Sequence, residues 1–135
     1  MIAERDSNVK KEVKGMRKEN IRNIAGIIVL VLAGYLSMAG LRTVFGEVRA
    51  KPEVIRKGVF GVVRHPVYLG EILLYLGLLL FSMSLAAAII WVIIIVFLYY
   101  ISRYEERILL DFFGDEYRTY MDEVPMFVPR WFHIT

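Results

Sequence analysis

The sequence predicts an all-α integral membrane protein, and two observations carry this prediction. The 135 residues are 57% hydrophobic and have a mean hydropathy of +0.51, which exceeds the usual apolar share of soluble domains. Charged residues make up 23% of the chain, but the segments 24–41 and 72–101 contain no ionisable side chain other than tyrosine. We therefore expect one domain, 1–135, built from membrane-spanning helices and short polar connections.

The first membrane-spanning helix is predicted at 24–41, after a polar flank at 1–23. A run of about 18 apolar residues is close to the minimum needed to cross a hydrocarbon core about 30 Å thick. Residues 42–66 are predicted to form a loop, because helix-breaking residues interrupt a polar stretch. These residues are Gly46, Pro52, Gly58 and Gly61.

The next apolar segment, 67–101, is too long for a single membrane-spanning helix. At 1.5 Å per residue it would measure about 52 Å, whereas the hydrocarbon core is about 30 Å thick. Ser82-Met83-Ser84 divides the segment into two legs, so we expect a transmembrane helical hairpin. Its return places the loop before the hairpin and the charged segment after it on the same membrane face.

The remaining region, 102–135, is predicted to contain an amphipathic helix that lies at the membrane interface. From residue 103 to residue 122, apolar side chains recur at three- and four-residue spacing among many charges, which is typical of such helices. Gly114 is expected to interrupt this helix.

The composition also indicates which partners and sites to expect. The chain has no cysteine, and His65 and His133 are its two histidines, so no metal site is expected. The net charge of +3 gathers beside the apolar segments, which favours attraction to anionic lipid over nucleic-acid binding. The membrane is therefore the expected macromolecular partner.

A cluster of polar side chains stands where the loop enters the hairpin, in the run Arg64-His65-Pro66-Val67-Tyr68-Leu69-Gly70. Arginine offers a planar fork that suits a carboxylate, and histidine can donate or accept a proton near neutral pH. Pro66 is well suited to the first position of a helix, whose free N–H groups favour anions. Tyr68 would face the same space one turn later.

Two acids, Glu105 and Glu106, stand where the second leg of the hairpin emerges. Adjacent helical positions point about 100° apart, so we expect the two carboxylates to have different roles. One would face a bound ligand, and the other would pair with Arg103 or face water. Arg103 is the expected substrate-facing cation, because it precedes the acids at the membrane boundary.

Four motifs in this order resemble the isoprenylcysteine carboxyl methyltransferase family and its prokaryotic relatives. They are GVFGVVRHPVYLG at 58–70, EERILL at 105–110, FGDEYRTY at 113–120 and VPMFVP at 124–129. The resemblance implies a multi-helix membrane enzyme that binds S-adenosylmethionine from the cytosol and methylates a lipophilic substrate reached from the bilayer. The active-site face is accordingly expected in the cytosol, with 102–135 capping the cofactor.

The resemblance also implies roles for individual residues. Arg103 and Glu106 are the expected catalytic residues, with Arg103 near the substrate-side arginine of the family. The expected cofactor-binding residues are Arg64, His65, Pro66, Tyr68, Leu69, Glu105 and Glu106.

Several alternatives remain open at the level of the sequence. The methyl acceptor is expected to be a carboxylate, such as that of a prenylated cysteine, and a phospholipid amine is the second candidate. The Arg-His-Pro-x-Tyr-x-Gly-Glu run also resembles membrane sterol reductases that use NADPH, and a membrane adaptor without enzymatic activity is a further option. A homodimer would help a short chain to close a pocket.

The orientation of the chain is a separate question. The basic flank at 5–22 favours the cytosolic side of the membrane, because Lys and Arg are enriched there. The single crossing at 24–41 would place this flank on the side opposite the active site, which conflicts with a cytosolic active-site face.

Overall fold

The computed structural model describes residues 1–46 and 51–133, and the regular structure in these ranges is helical. Four α-helices follow one another along the chain: α1 (Ile2–Phe45), α2 (Pro66–Ser82), α3 (Leu85–Phe113) and α4 (Asp115–Glu123). Short 3-10 helices occupy Gly58–Gly61 and Arg130–His133. Helices α1 and α3 are long and apolar enough to cross a membrane, so the predicted all-α membrane class is confirmed. Residues 47–50 of the predicted loop and 134–135 of the C-terminal region lie outside the described residues.

Helix α1 is much longer than the predicted span at 24–41. It is a single helix of 44 residues, so the polar flank and the first residues assigned to the loop are helical as well. The flank is rich in Lys, Arg and Glu, which favour helix, and it contains no proline. The helix ends at Phe45, and the N–H of the following Gly46 donates to the carbonyl of Arg42 at 2.8 Å. At 1.5 Å per residue, α1 measures about 66 Å, more than twice the thickness of a hydrocarbon core.

Helices α2 and α3 form a helical hairpin, and its turn lies at the expected place. Helix α3 is long enough to span a membrane, whereas α2 is a shorter apolar helix, so a membrane crossing by both legs stays a prediction. Helix α2 starts at Pro66 and ends at Ser82, and Met83 adopts a left-handed conformation with φ 45° and ψ 32°. The second leg differs from the prediction, because α3 continues without interruption from the apolar segment to Phe113. The segment that starts at Arg103 is therefore the continuation of α3, and α4 is a separate short helix.

Helices α1 and α2 pack against each other in antiparallel orientation. Small residues allow this close approach: a Cβ atom added at Gly70 would lie 2.9 Å from the carbonyl oxygen of Ala33. Other close approaches pair Gly40 with Val67, Leu30 with Gly77 and Gly26 with Phe81. The start of α2 is consequently level with the C-terminal end of α1. The polar N-terminal half of α1 extends from the opposite end of the helix pair.

Helix α4 folds back onto the segment that precedes α2. Gly114, predicted as an interruption, separates α3 from α4 with φ 61° and ψ −128°. Beyond it, a hydrophobic cluster joins the loop to α4 and the end of α3. Its buried members are Val54, Tyr117, Tyr120 and Val124, with Leu109, Leu110, Phe113 and Met121 packed around them. This cluster fixes the C-terminal region beside the start of the hairpin.

Gly114→Ala is expected to lower the free energy of unfolding by about 1–3 kcal/mol, because L-residues rarely adopt this backbone conformation. A Cβ atom at this position would meet no atom within 4 Å, so the effect comes from the backbone alone. Thermal unfolding in detergent measures it. Gly15→Ala is the control, because this helical glycine is equally open, and alanine there should leave stability unchanged or raise it. Equal unfolding temperatures for Gly114→Ala and wild type would contradict the prediction.

Candidate active site

The hairpin brings the predicted polar residues together at one end of the helix pair. Glu106 on α3 lies beside Arg64 and His65, which immediately precede α2. The Glu106 Oε1 atom accepts from Arg64 Nε at 2.8 Å and lies 3.1 Å from His65 Nε2. The Glu106 side chain is 2% exposed, and those of Arg64 and His65 are 8% and 7% exposed. A buried carboxylate is thus held between two nitrogen donors, as buried charges require.

Arg64 also fixes the C-terminal segment to the hairpin. Its Nη1 atom donates to the carbonyl oxygens of Met121 at 2.8 Å and Val124 at 2.6 Å. The backbone N–H of Arg64 donates to the carbonyl of Pro125 at 2.9 Å. The guanidinium that the sequence indicates as a ligand for an external carboxylate is therefore engaged with Glu106 and with backbone carbonyls. Its role in the structure is to hold α3, α4 and the start of α2 together.

The second oxygen of Glu106 has a different environment. Within residues 1–46 and 51–133, Glu106 Oε2 is buried without a hydrogen-bond donor. The Nη1 atom of Arg103 lies 3.6 Å from this oxygen, and the Arg103 side chain is 48% exposed. Buried acceptors usually have a donor, so this oxygen is a candidate contact for a bound molecule. Arg103, the predicted substrate-facing cation, stands at the edge of the site.

Glu105 and Tyr68 form a second layer of the site. The Tyr68 hydroxyl donates to Glu105 Oε1, and the Tyr68 ring stacks on the His65 ring with centroids 5.7 Å apart. His65 Nδ1 lies 3.8 Å from Glu105 Oε2. The Glu105 side chain is 43% exposed, in contrast to buried Glu106. The two adjacent acids therefore differ in environment: Glu106 is buried in an ion pair with Arg64, whereas Glu105 is partly exposed.

A cavity of about 320 Å³ opens beside these residues, which is the size of a small-molecule pocket. Three of the predicted cofactor residues line it, namely Arg64, His65 and Glu105. The other lining residues are Glu53, Val54, Ile55, Phe60, Leu109, Phe113, Tyr117 and Tyr120. Among the described residues, no three His, Asp or Glu side chains form a group suited to a metal ion. The cavity thus combines acidic groups with an apolar and aromatic wall.

The remaining predicted residues lie outside the cavity lining. Tyr68 stacks on the lining residue His65, and Glu106 accepts a hydrogen bond from the lining residue Arg64. Pro66 is buried beside Gly40 of α1, and Leu69 is half-buried one turn into α2. Pro66 begins α2, and the backbone N–H of Leu69 donates to the carbonyl of His65 at 2.9 Å in the first turn of this helix.

The aromatic wall was not predicted as part of the site. The Tyr120 hydroxyl donates to the carbonyl of Phe60 at 2.7 Å, which joins α4 to the loop. The Arg56 guanidinium lies over the Tyr120 ring at 5.5 Å and donates to Glu123 at 2.8 Å. A signal was available: Tyr117 and Tyr120 are three residues apart in FGDEYRTY, so they share one face of a helix.

Burial, the largest influence, raises the pKa of Tyr120 to about 12. An unfolded tyrosine loses its proton near pH 10, whereas the folded one keeps it. The contribution of Tyr120 to the free energy of unfolding is therefore fully present below about pH 10 and decreases as the pH rises towards 12. We expect the wild-type unfolding temperature to drop across this range, and to drop less for Tyr120→Phe. Parallel curves for the two proteins would contradict this assignment.

The sequence profile of phospholipid methyltransferases matches residues 21–116, which extend from the middle of α1 to the start of α4 and include the whole Arg64–Glu106 ion pair. The chain belongs to the phospholipid methyltransferase family. Because the match covers more than half of the chain, the resemblance to membrane methyltransferases noted in the motifs is confirmed. This membership favours methyl transfer over the reductase and adaptor alternatives.

One curated relative within this group of membrane methyltransferases is methanethiol S-methyltransferase 1 of Bradyrhizobium diazoefficiens. It is 38% identical over 78 residues, which cover 53% of this chain and 24% of the relative. The chain therefore spans about a quarter of the length of this relative. No solved structure matches the chain significantly.

Proposed function

We propose that this chain transfers a methyl group from S-adenosylmethionine to a lipophilic acceptor at the membrane face where α2 begins. The observation that carries the proposal is the cavity of about 320 Å³ beside the Arg64–Glu106 ion pair. It lies at the end of a hairpin in a chain of a methyltransferase family. A cavity at the point where apolar helices give way to charged residues would admit both a water-soluble donor and a membrane-soluble acceptor.

The chemistry of the cavity fits S-adenosylmethionine. When bound, this molecule supplies an electrophilic methyl group on a positively charged sulfur. The partly exposed Glu105 carboxylate favours a positive group by direct attraction. Glu106 Oε2, buried without a hydrogen-bond donor among the described residues, can accept from an ammonium or hydroxyl group. Phe60 and Tyr117 offer apolar surface to a planar base.

The residues of the chain contribute mainly by position. Methyl transfer needs the donor and the acceptor in line about 3–3.5 Å apart, with water excluded. Arg64 holds the C-terminal segment over the site through the carbonyls of Met121 and Val124. We infer that this contact keeps the donor side closed while the acceptor enters from the bilayer.

The acceptor determines whether a base is needed. A carboxylate, such as that of a prenylated cysteine, is already ionised at neutral pH, and Arg103 at the edge of the site would orient it. A thiol or an amine must lose a proton. His65 Nδ1 would take it, because Nε2 must donate to the Glu106 carboxylate, which only accepts. A thiol acceptor is the second candidate, favoured by the 38% identity to the methanethiol methyltransferase.

Calorimetric titration of the detergent-purified chain tests the donor. S-adenosylhomocysteine and NADPH are titrated in parallel into wild type, Glu105→Gln and Asp111→Asn. We expect S-adenosylhomocysteine alone to bind, about tenfold more weakly to Glu105→Gln, which corresponds to about 1.4 kcal/mol. Asp111 is exposed on the same helix and outside the cavity lining, so its variant should bind like wild type. Binding of NADPH, or of neither compound, would overturn the proposal.

The acceptor is tested with S-adenosylmethionine that carries a tritiated methyl group. Farnesylated cysteine, dodecanethiol and phosphatidylethanolamine are offered separately in proteoliposomes. A methyl ester releases its label in base, whereas a thioether and a methylated amine do not. We expect Arg103→Gln to reduce kcat/KM for the carboxylate acceptor and to leave transfer to a thiol unchanged. Equal losses with all acceptors would contradict the orienting role of Arg103.

A further inference from the structure

One side of α1 is uncovered along most of its length. On a helix of 3.6 residues per turn, the positions of this face fall within an arc of about 60°. We call it the open face of α1; it consists of Val9, Val13, Met16, Asn20, Ile27, Val31, Gly34 and Met38. All eight residues are exposed, and the exposed fraction of the apolar side chains ranges from 47% for Val13 to 68% for Val31. The open face runs from the polar N-terminal half into the membrane-spanning part.

The hairpin does not cover this face. Helix α2 packs against the side of α1 that carries Gly26, Ala33 and Gly40, about 130° around the helix from the centre of the open face. Gly26 is already level with Phe81, in the last turn of α2. Residues 9–20 therefore extend beyond the hairpin turn. An isolated helix of this length is marginally stable in water, so an apolar stripe there calls for a partner.

The two flanks of the open face carry opposite charges. Lys10 and Arg17 lie on one side, and Glu12 and Glu19 lie on the other. Counted as a heptad with Val13 and Asn20 at position a, Val9 and Met16 occupy position d. Lys10 and Arg17 then occupy position e, and Glu12 and Glu19 occupy position g. These are the flanking positions whose charges determine partner and orientation in coiled coils.

The charge pattern and the membrane favour the same partner. Copies of this chain that insert into a membrane with the same orientation bring their α1 helices together in parallel. In a parallel pair with two-fold symmetry, the basic flank of one helix faces the acidic flank of the other, and Glu12 meets Arg17 of the second copy. An antiparallel pair would oppose like charges. Asn20 at position a is typical of parallel dimers, in which it fixes the register.

Gly34 is an independent observation on the same face. A Cβ atom at Gly34 would meet nothing within 4 Å, whereas Gly26 and Gly40 are explained by their contacts with α2. Small residues in membrane-spanning helices let two backbones approach closely. Gly34 thus extends the contact surface from the polar N-terminal half of α1 into its apolar segment.

We propose that α1 forms a parallel homodimer through its open face, with a coiled coil that begins at Val9. Before Val9 the pattern ends, because Asp6 would occupy a core position and Arg5 would face Lys10 of the second copy. No residue of α1 lines the cavity, so the dimer contact on the open face is separate from it. The dimer therefore does not depend on the proposed methyl transfer.

Cysteine cross-linking of the full chain in liposomes tests this contact, since the chain has no native cysteine. Val13→Cys and Met16→Cys place sulfur atoms on the open face, and Lys11→Cys places one on the opposite side of α1 as the control. In a parallel symmetric pair, residues on the two-fold axis meet their own copies within disulfide distance. We expect oxidation with copper phenanthroline to give dimers at least about fivefold faster for Val13→Cys and Met16→Cys. Equal rates, or faster reaction at Lys11→Cys, would overturn the proposal.

Charge reversal supplies a second measurement. Glu12→Lys should raise the dissociation constant of the dimer about five- to tenfold, as expected when two attractive pairs become repulsive. The double variant Glu12→Lys/Arg17→Glu should restore it. Analytical ultracentrifugation in density-matched detergent measures these constants. A monomeric wild type, or no rescue in the double variant, would overturn the proposal.

Discussion

Glu106→Ala is expected to abolish binding of S-adenosylhomocysteine and to lower the free energy of unfolding by about 3–5 kcal/mol. The substitution removes the carboxylate that accepts from Arg64 Nε at 2.8 Å and contacts His65 Nε2 at 3.1 Å. The Arg64 side chain is 8% exposed, so its charge would remain buried without its counter-ion. Loss of one partner of a buried ion pair costs more than the pair contributes, because the remaining charge is desolvated.

Glu106→Gln separates charge from shape in the same experiment. Its amide oxygen can still accept from Arg64, so we expect a smaller loss of stability than with alanine, together with weak binding. Asp111→Ala is the control, because Asp111 is exposed on the same helix. Thermal unfolding in detergent and calorimetric titration provide the two readouts. If Glu106→Ala unfolded and bound ligand as wild type does, the ion pair would have no role in either property.

Gly70→Ala is expected to lower the free energy of unfolding by about 1–3 kcal/mol through overpacking. The added Cβ atom would lie 2.9 Å from the carbonyl oxygen of Ala33 and would collide with the Ser37 hydroxyl. The Ala33 carbonyl belongs to the backbone of α1 and cannot rotate away, so the two helices must separate. This separation moves the start of α2, and with it Arg64 and His65, relative to Glu106.

Gly70→Ala should therefore weaken ligand binding although Gly70 lies outside the cavity lining. Gly15→Ala again provides the matched control, since a Cβ atom at Gly15 meets nothing within 4 Å. Both variants replace a helical glycine by alanine, so the comparison isolates packing from helix propensity. Normal binding and stability in Gly70→Ala would mean that the close approach of α1 and α2 is not needed at this level.

The hairpin followed from the sequence because simple physical limits determine it. A 35-residue apolar run cannot cross a bilayer once, Pro66 is suited to a helix start, and Ser82-Met83-Ser84 interrupts the run. The extent of α1 did not follow, since hydropathy describes a helix only where it is apolar. Lys, Arg and Glu in the flank continue the same helix. The change from apolar to polar residues does not by itself indicate whether the helix starts there or continues.

The meeting of Arg64, His65 and Glu106 was predictable from the return of the hairpin to its starting side. The bonds from Arg64 to the carbonyls of Met121 and Val124 were not. They depend on the path of the backbone after α4. Because every residue carries the same carbonyl group, the sequence does not indicate which carbonyls Arg64 will contact. The aromatic wall around Tyr120 likewise depends on the backbone conformation at Gly114. This conformation sets the direction of α4 relative to α3, and the local sequence does not predict that direction.

The distance along the chain between Arg64 and its carbonyl partners has a consequence for biosynthesis. Arg64 and Val124 are separated by 60 positions, so the ribosome completes both legs of the hairpin before the second partner exists. The bonds from Arg64 to the carbonyls of Met121 and Val124 can form only after these residues have been synthesised, so the complete site cannot exist on a nascent chain that ends within α3.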